Sequence, residues 1–179
     1  MPHQILTSAK SAMLKEYKDH VEERLQQGIP PLPLNAEQVA DLVELLKSPP
    51  AGEEEFILDL IKNRTPAGVD PAAYVKAAFL TALAKGETSS PLIDKKLATE
   101  LLGTMLGGYN VESLIKLLKD EEVGAIAADG LSKTLLMFNA KHEVIELAAE
   151  NENAKRVVES WSNGAVSYTH LRAHETSID

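Results

Sequence analysis

Apolar residues recur along most of the chain at the three- and four-residue spacing of an amphipathic helix. The first clear stripe runs through Leu14, Tyr17, Val21 and Leu25, with charged residues between them. Similar stripes follow as far as Trp161, and no run of alternating apolar and polar residues is long enough to predict a β-strand. The pattern therefore predicts an all-α fold of about seven or eight antiparallel helices joined by short connectors.

Several helix starts are marked by capping residues. Asn35, with Gln38 three residues later, matches the capping box, in which each residue bonds the backbone of the other. Asp70 followed by Pro71 combines an N-cap with the residue favoured at the first helical position, and Asp94 is predicted to cap the next helix. The helix that follows Pro71 is predicted to bury a face that includes the residues Tyr74, Val75, Ala78, Phe79, Ala82 and Leu83.

Two longer helices are predicted in the last third of the chain. One begins at Asp120 and extends to Phe138, and the last runs without a break from His142 to Trp161. Helices of this length, paired by tight turns, pack either as a bundle or as a solenoid of stacked pairs. No internal sequence repeat is clear, so the pattern alone leaves both architectures open.

The stretch from Gly103 to Asn110 is rich in glycine and allows two interpretations. Glycine-rich loops can hold phosphates through backbone N–H groups. Here no strand precedes the stretch and neither nucleotide-binding fingerprint is present. A tight turn between two helices, with glycine at a positive φ, is the interpretation we favour.

Two groups of residues in the first third of the chain offer carboxylates or imidazoles for a metal or acid–base site. Glu53, Glu54 and Glu55 open a predicted helix, where carboxylates are favoured by the helix dipole without any ligand. His20 has Glu16 and Glu23 at helical spacing and could bind a divalent ion weakly, but a solvated helix face is the interpretation we favour.

The histidines elsewhere give no stronger site. His170 and His174 are four residues apart with Glu175 beside them, a spacing that can present two imidazoles to one metal ion. His3 and His142 have no other histidine at metal-ligand spacing. We therefore predict no catalytic, cofactor-binding or metal-binding residue in the chain.

Both ends of the sequence are expected to be foreign to the helical domain. Residues 166–176 read VSYTHLRAHET, which resembles the translation of a transposase-based sequencing adapter. We therefore expect residues 164–179 to be an adapter-derived or non-native tail, which removes the apparent His170 and His174 site. Residues 1–12 are interpreted as an uncertain leader or mis-start, because Met13 begins the regular helical pattern.

Charge and composition narrow the classes of function. The chain carries 18 Lys and Arg against 27 Asp and Glu, a formal net charge of −9, which argues against binding nucleic acid or an anionic membrane surface. It has no cysteine, so it cannot itself hold a cysteine-ligated iron–sulfur cluster. With no predicted membrane span or secretory signal, the cytoplasm is the expected location.

Several motifs at matching spacing together resemble the N-terminal domain of bacterial aconitase B. The resemblance covers about residues 13–163. It is carried by Val43–Phe56, Gly68–Asp70 with Ala73–Ala77, Leu101–Met105 with Gly107–Asn110, Leu131-Ser132 with Thr134–Phe138, and Ser160-Trp161. It implies a HEAT-like right-handed α-α superhelix, that is, a curved stack of antiparallel helix pairs. It also implies a domain used for protein contacts and dimer formation.

For the parent enzyme, the resemblance implies a citric-acid-cycle lyase that interconverts citrate and isocitrate at a [4Fe–4S] cluster, with some members acting on 2-methyl-cis-aconitate. The residues that bind the cluster and the substrate lie in later domains, so none can be assigned to this chain. The expected partners are those remaining domains in cis and a second subunit. The alternative function is a standalone helical-repeat adaptor that binds other proteins, and an RNA-binding regulatory module is disfavoured by the negative charge.

Overall fold

The computed structural model describes the backbone of residues 2–134 and 140–175, and the side chains of residues 11–134 and 140–164. These residues form nine helices: α1 (Pro2–Gln26), α2 (Ala36–Lys47), α3 (Glu54–Asn63), α4 (Pro71–Lys85), α5 (Lys95–Gly103), α6 (Val111–Leu117), α7 (Gly124–Ser132), α8 (Lys141–Ala148) and α9 (Glu152–Glu175). Within this described part of the chain there is no strand, so the all-α prediction is confirmed.

The predicted capping residues start their helices as expected. The Asn35 side chain accepts a hydrogen bond from the Gln38 N–H at 2.9 Å, and the Gln38 side chain accepts one from the Asn35 N–H at 2.9 Å. The Asp70 carboxylate accepts from the Ala72 N–H, and that of Asp94 accepts from the Leu97 N–H. Each bond satisfies a backbone donor that the first turn of a helix leaves free.

The helix that was predicted to begin at Asp120 begins four residues later in the structure, so its predicted start is wrong. The helix α7 begins at Gly124, and Asp120 instead organises the turn before it by accepting the N–H groups of Glu122 and Val123. A short Asp side chain competes well for nearby backbone donors, which explains why it directs a turn here. α7 ends at Ser132, and Lys133 and Thr134 are not helical, so the predicted extension toward Phe138 is wrong at those two residues, while residues 135–138 lie outside the described part of the chain.

The single helix predicted from His142 to Trp161 is also wrong, because the structure divides it into α8 and α9. The break falls at residues 149–151, where the Asn151 side chain accepts the Ala154 N–H at 3.0 Å and caps the second helix. The Asn151 amide also donates to the Leu118 carbonyl at 3.4 Å. The chain therefore turns at a capping residue that the apolar stripe did not show.

The helices stack as pairs. Helices joined by one connector lie against each other in the pairs α2–α3, α4–α5, α6–α7 and α8–α9, while α5, α7 and α9 also pack side by side. Lys95, at the start of α5, bonds Asp120 beside the start of α7 at 2.7 Å. Gly103 and Gly130, near the two C-termini, have their backbones in contact. α5 and α7 therefore run parallel.

The same relation is repeated between α7 and α9. Near the start of both helices the Asn153 amide donates to the Leu118 carbonyl at 3.1 Å, and farther along, near the end of α7, the indole N–H of Trp161 in α9 donates to the Leu131 carbonyl at 3.2 Å. Parallel helices separated by shorter returning helices are the arrangement of a helical-repeat stack. The structure thus resolves the choice between bundle and solenoid in favour of stacked pairs.

Aliphatic side chains form one continuous core through this stack. Leu42, Leu80, Leu102, Leu114 and Leu131 are all fully buried. Few aromatic side chains take part, in agreement with an aromatic content of 4%. Close helix packing is instead provided by alanines and glycines, which lets neighbouring backbones approach each other.

Candidate interaction surface

The side chains described here assemble no metal or acid–base centre. No group of three or more His, Asp or Glu side chains in this part of the chain could hold a metal ion. No described helix is long and apolar enough to cross a membrane. His170, His174 and Glu175 have side chains outside the described residues, as does His3, and His142 is exposed.

His20 lies in a structural contact rather than on a solvated face, so that prediction is wrong. Its ring is half-buried against Tyr17, with ring centroids 5.7 Å apart, and its Nε2 accepts the Leu32 N–H at 3.0 Å. The Tyr17 hydroxyl donates to the carbonyl of the same Leu32 at 2.7 Å. The two side chains hold the proline-rich connector against α1, because they satisfy both backbone groups of one residue.

The acidic residues that open α3 have structural roles, as an ion pair for Glu53 and as first-turn carboxylates for Glu54 and Glu55. Glu53 pairs with Lys18 of α1 at 2.6 Å, and the Lys18 ammonium lies 4.9 Å from the centre of the Phe56 ring. Glu54 and Glu55 lie in the first turn of α3, where the helix dipole favours a carboxylate. These contacts join α1 to α3.

Exposed apolar side chains concentrate where the connector before α4 meets the connector before α6. Val69 is 76% exposed, Leu106 72%, Tyr74 61% and Tyr109 37%, and we call these four residues the tyrosine patch. Tyr74 was predicted on the buried face of α4, but that face is formed mainly by alanines, Phe79 and leucines. The alanine-rich sequence of α4 does not show which side is buried, and this explains the error.

The tyrosine patch is held by contacts between the two connectors. Gly107 lies so close to Gly68 that a methyl group on Gly107 would overlap the Gly68 carbonyl. The Tyr109 hydroxyl donates to the Val69 carbonyl in a long hydrogen bond of 3.4 Å. The Tyr74 and Tyr109 rings meet edge to face, 5.4 Å between centroids, a favourable geometry for two aromatic rings.

The glycine-rich stretch is a connector between α5 and α6, as the favoured interpretation predicts. Gly108 has a φ of +87°, a conformation that side chains with a Cβ rarely adopt. Asn110, which is 1% exposed, donates from its amide to the Leu102 carbonyl at 2.6 Å and the Met105 carbonyl at 3.3 Å. Its Oδ1 is buried and has no hydrogen-bond partner in the described structure. These bonds fix the path of the connector that carries Leu106.

A cleft of about 900 Å³ lies beside the patch, between the C-terminal ends of α5 and α7. Leu106 and Gly108 form part of its wall, so the cleft and the tyrosine patch are continuous. Its other lining residues include Met105, Ile126 and Gly130, with Glu100, Asp129 and Lys133 as the charged members. An apolar depression with charged residues around it can bind a complementary side chain of a partner.

Lys76 is the one buried cation among the described side chains, at 6% exposure on α4. Burial lowers the pKa of its ammonium group, because the charged form loses its hydration. Its neighbours one turn away, Ala72 and Leu80, are fully buried apolar residues. Its aliphatic stem thus completes the apolar stripe of α4.

Comparison with known proteins identifies relatives of this all-α chain. The sequence profile of the aconitate B N-terminal domain matches residues 16–166. Aconitate hydratase B of Pseudomonas aeruginosa is 63% identical over 153 residues, which are 85% of this chain and 18% of that protein. The Escherichia coli protein of the same name is 60% identical over 152 residues, 84% of this chain and 18% of its own length.

More distant relatives match a similar span. Aconitate hydratase B of Helicobacter pylori is 44% identical over 152 residues, which again cover 84% of this chain and 18% of the relative. The chain therefore spans about a fifth of the length of the relatives it matches. With a profile match over most of its residues, this chain belongs to the aconitate B N-terminal domain family.

Proposed function

We propose that this chain is the non-catalytic assembly domain of an aconitate hydratase, a lyase that interconverts citrate and isocitrate in the tricarboxylic acid cycle. The observation that carries the proposal is the 63% identity with a protein named aconitate hydratase B, confined to 18% of that protein's length. Dehydration of a tricarboxylate needs a Lewis acid, cationic groups and a base in one place. The helical domain contributes a surface for protein contacts.

The iron–sulfur cluster of such an enzyme does not fit the residues of this chain. A [4Fe–4S] cluster is held by cysteine thiolates, and the sequence has no cysteine. We therefore place the cluster ligands, together with the substrate-binding residues, in the later domains of the parent enzyme. No step of the reaction is assigned to residues 1–179.

The native domain is proposed to span residues 13–163. Residues 1–12 are then a leader or mis-start, and residues 164–179 a tail derived from a sequencing adapter. The family match ends at 166, the first residue of the adapter-like run, so it supports the tail for residues 167–179.

The proposed partners are the remaining domains of the same polypeptide and a second subunit in a homodimer, in the cytoplasm. The net charge of −9 opposes binding of nucleic acid by this domain. An electrophoretic shift with RNA at physiological salt tests that part directly, and a shift that depends on this chain would contradict it.

The first experiment is to sequence the source gene past the codon for Asn163 with primers free of adapter sequence. We expect an open frame of several hundred further codons that includes cysteine codons. The full gene product, reconstituted with iron and sulfide, should then form cis-aconitate from citrate, and the 179-residue chain should not. A stop codon within a few residues of Asn163 would overturn the proposal and leave the standalone adaptor in its place.

A further inference from the structure

We infer that the tyrosine patch is the surface on which the following domains of the same polypeptide dock. The inference rests on the proposed function, because it takes this chain as one part of a longer enzyme. It goes further by assigning one face of the helical stack to that contact. The assigned face is formed by Val69, Tyr74, Leu106 and Tyr109, next to the cleft between α5 and α7.

Exposure alone distinguishes this face from most of the described surface. Half of the eight large apolar residues that are exposed in the described structure lie in the patch. Two of its four members are tyrosines, a residue type enriched in the centres of protein interfaces. Isolated apolar residues on a surface need no explanation, but a contiguous group of this kind marks a contact site.

The patch is also formed before any partner binds. The Gly107 backbone packs on Gly68, the Tyr109 hydroxyl bonds the Val69 carbonyl, and the two aromatic rings support each other. Asn110 fixes the same connector through two bonds to backbone carbonyls. A partner that binds here therefore loses little free energy in ordering these side chains.

The size of the patch favours a partner in the same polypeptide over a second copy of the chain. A stable complex between separate proteins buries roughly 800 Å² on each side, from about 20–30 residues. Four large side chains and the rim of a cleft are far fewer. A covalently attached domain needs less contact area, because its effective concentration is in the millimolar range. The relatives, of which this chain covers 18%, have the further polypeptide that this contact requires.

The partner segment should be apolar at its centre and carry a side chain that enters the cleft. Leu106 lines the cleft together with Met105 and Ile126, so its wall is apolar where it meets the patch. Tyr74 leaves a hydroxyl group at an exposed position, which a polar group of the partner can bond.

The test compares two variants of the full-length gene product. Leu106→Glu places a charge in the patch. Leu25→Glu is the matched control, because Leu25 is also an exposed leucine, at 64%, but lies near the C-terminal end of α1 and outside the patch. Hydrogen exchange is followed at the amides of residues 104–110, together with limited proteolysis between the helical domain and the domains after it. We expect Leu106→Glu to accelerate both by about tenfold and Leu25→Glu to change neither.

Two results would overturn the inference. One is an equal response of the two variants. The other is a Leu106→Glu protein that changes from dimer to monomer in sedimentation while its proteolysis stays unchanged, which would assign the patch to a second copy. Helical circular dichroism of both variants in the 179-residue chain verifies that the fold is intact. Aconitate hydratase activity of the unmodified full-length protein tests the proposed function separately.

Discussion

The crossing of α5 and α7 gives a sharp test of the stacked-pair architecture. At this point Gly130 faces Gly103, and a Cβ added to Gly130 would lie 2.8 Å from the Gly103 Cα. Carbon atoms in contact prefer about 3.5–4.0 Å, so the substitution Gly130→Ala must push the two helices apart by roughly 0.7–1.2 Å. No side-chain rotation relieves the overlap, because the opposing atom belongs to the backbone.

Two opposite effects determine the size of the change in stability. Alanine favours a helix over glycine by about 1 kcal/mol at an interior position. Overpacking a well-packed core costs about 1–3 kcal/mol, and a gap of this width loses roughly a quarter to a half of each contact energy along the crossing. We therefore expect Gly130→Ala to lower the free energy of unfolding by about 1 kcal/mol. In a chain of this length, the melting temperature should fall by about 2–4 °C.

The measurement is thermal unfolding of the 179-residue chain followed by circular dichroism. Gly164→Ala is the matched control, because Gly164 also lies in a helix but a Cβ there would have open space around it. The control should unfold at an unchanged or higher temperature. If Gly130→Ala left the melting temperature unchanged or raised it, α5 and α7 would not be in contact at this crossing, and the reasoning would be refuted.

Three further substitutions test local features, each by chemical or thermal unfolding. Asn35→Ala removes the capping box of α2 and should cost about 1 kcal/mol; an unchanged midpoint would contradict the cap. Lys76→Met should stabilise the chain at pH 7. Because burial lowers the pKa of Lys76 from 10.5, the advantage should shrink as the pH rises toward 10.5, and a pH-independent difference would exclude that cause. The pKa of Asp120 lies below 3.8, chiefly because Lys95 donates a hydrogen bond to it, so its contribution is present above that pH and lost as the pH falls. Asp120→Asn should therefore flatten the acid-induced loss of stability below about pH 4, and an unaltered acid profile would refute the assignment.

Local chemistry was the most predictable part of the fold. The caps at Asn35, Asp70 and Asp94 follow from short-range bonds between neighbouring residues, so the sequence contains all that is needed. The boundary at Asn151 was missed although its chemistry is the same. The apolar positions on both sides continue at helical spacing, and periodicity outweighed the capping signal there.

The interaction surface was less predictable because it depends on contacts between distant segments. Gly68 and Gly107 are far apart in sequence, and nothing local indicates that their backbones touch. Tyr74 was predicted to be buried because it belongs to the apolar pattern that follows Pro71, and an alanine-rich helix gives little indication of which side is buried. Its exposure follows from how α4 rotates against its neighbours, and this is a property of the assembled stack.

The stacking of pairs also has a consequence for how the chain folds. Contacts between helices join mainly elements that are adjacent or next but one along the sequence, so only short loops must close before native contacts form. Proteins with such local contacts fold rapidly, and in a repeat stack each folded pair stabilises the pair that packs against it. Folding can therefore start at any helix pair and spread to the neighbouring pairs. The order of formation is then governed by contacts between neighbouring pairs, and a pair near the N-terminus can form before the later pairs have been synthesised.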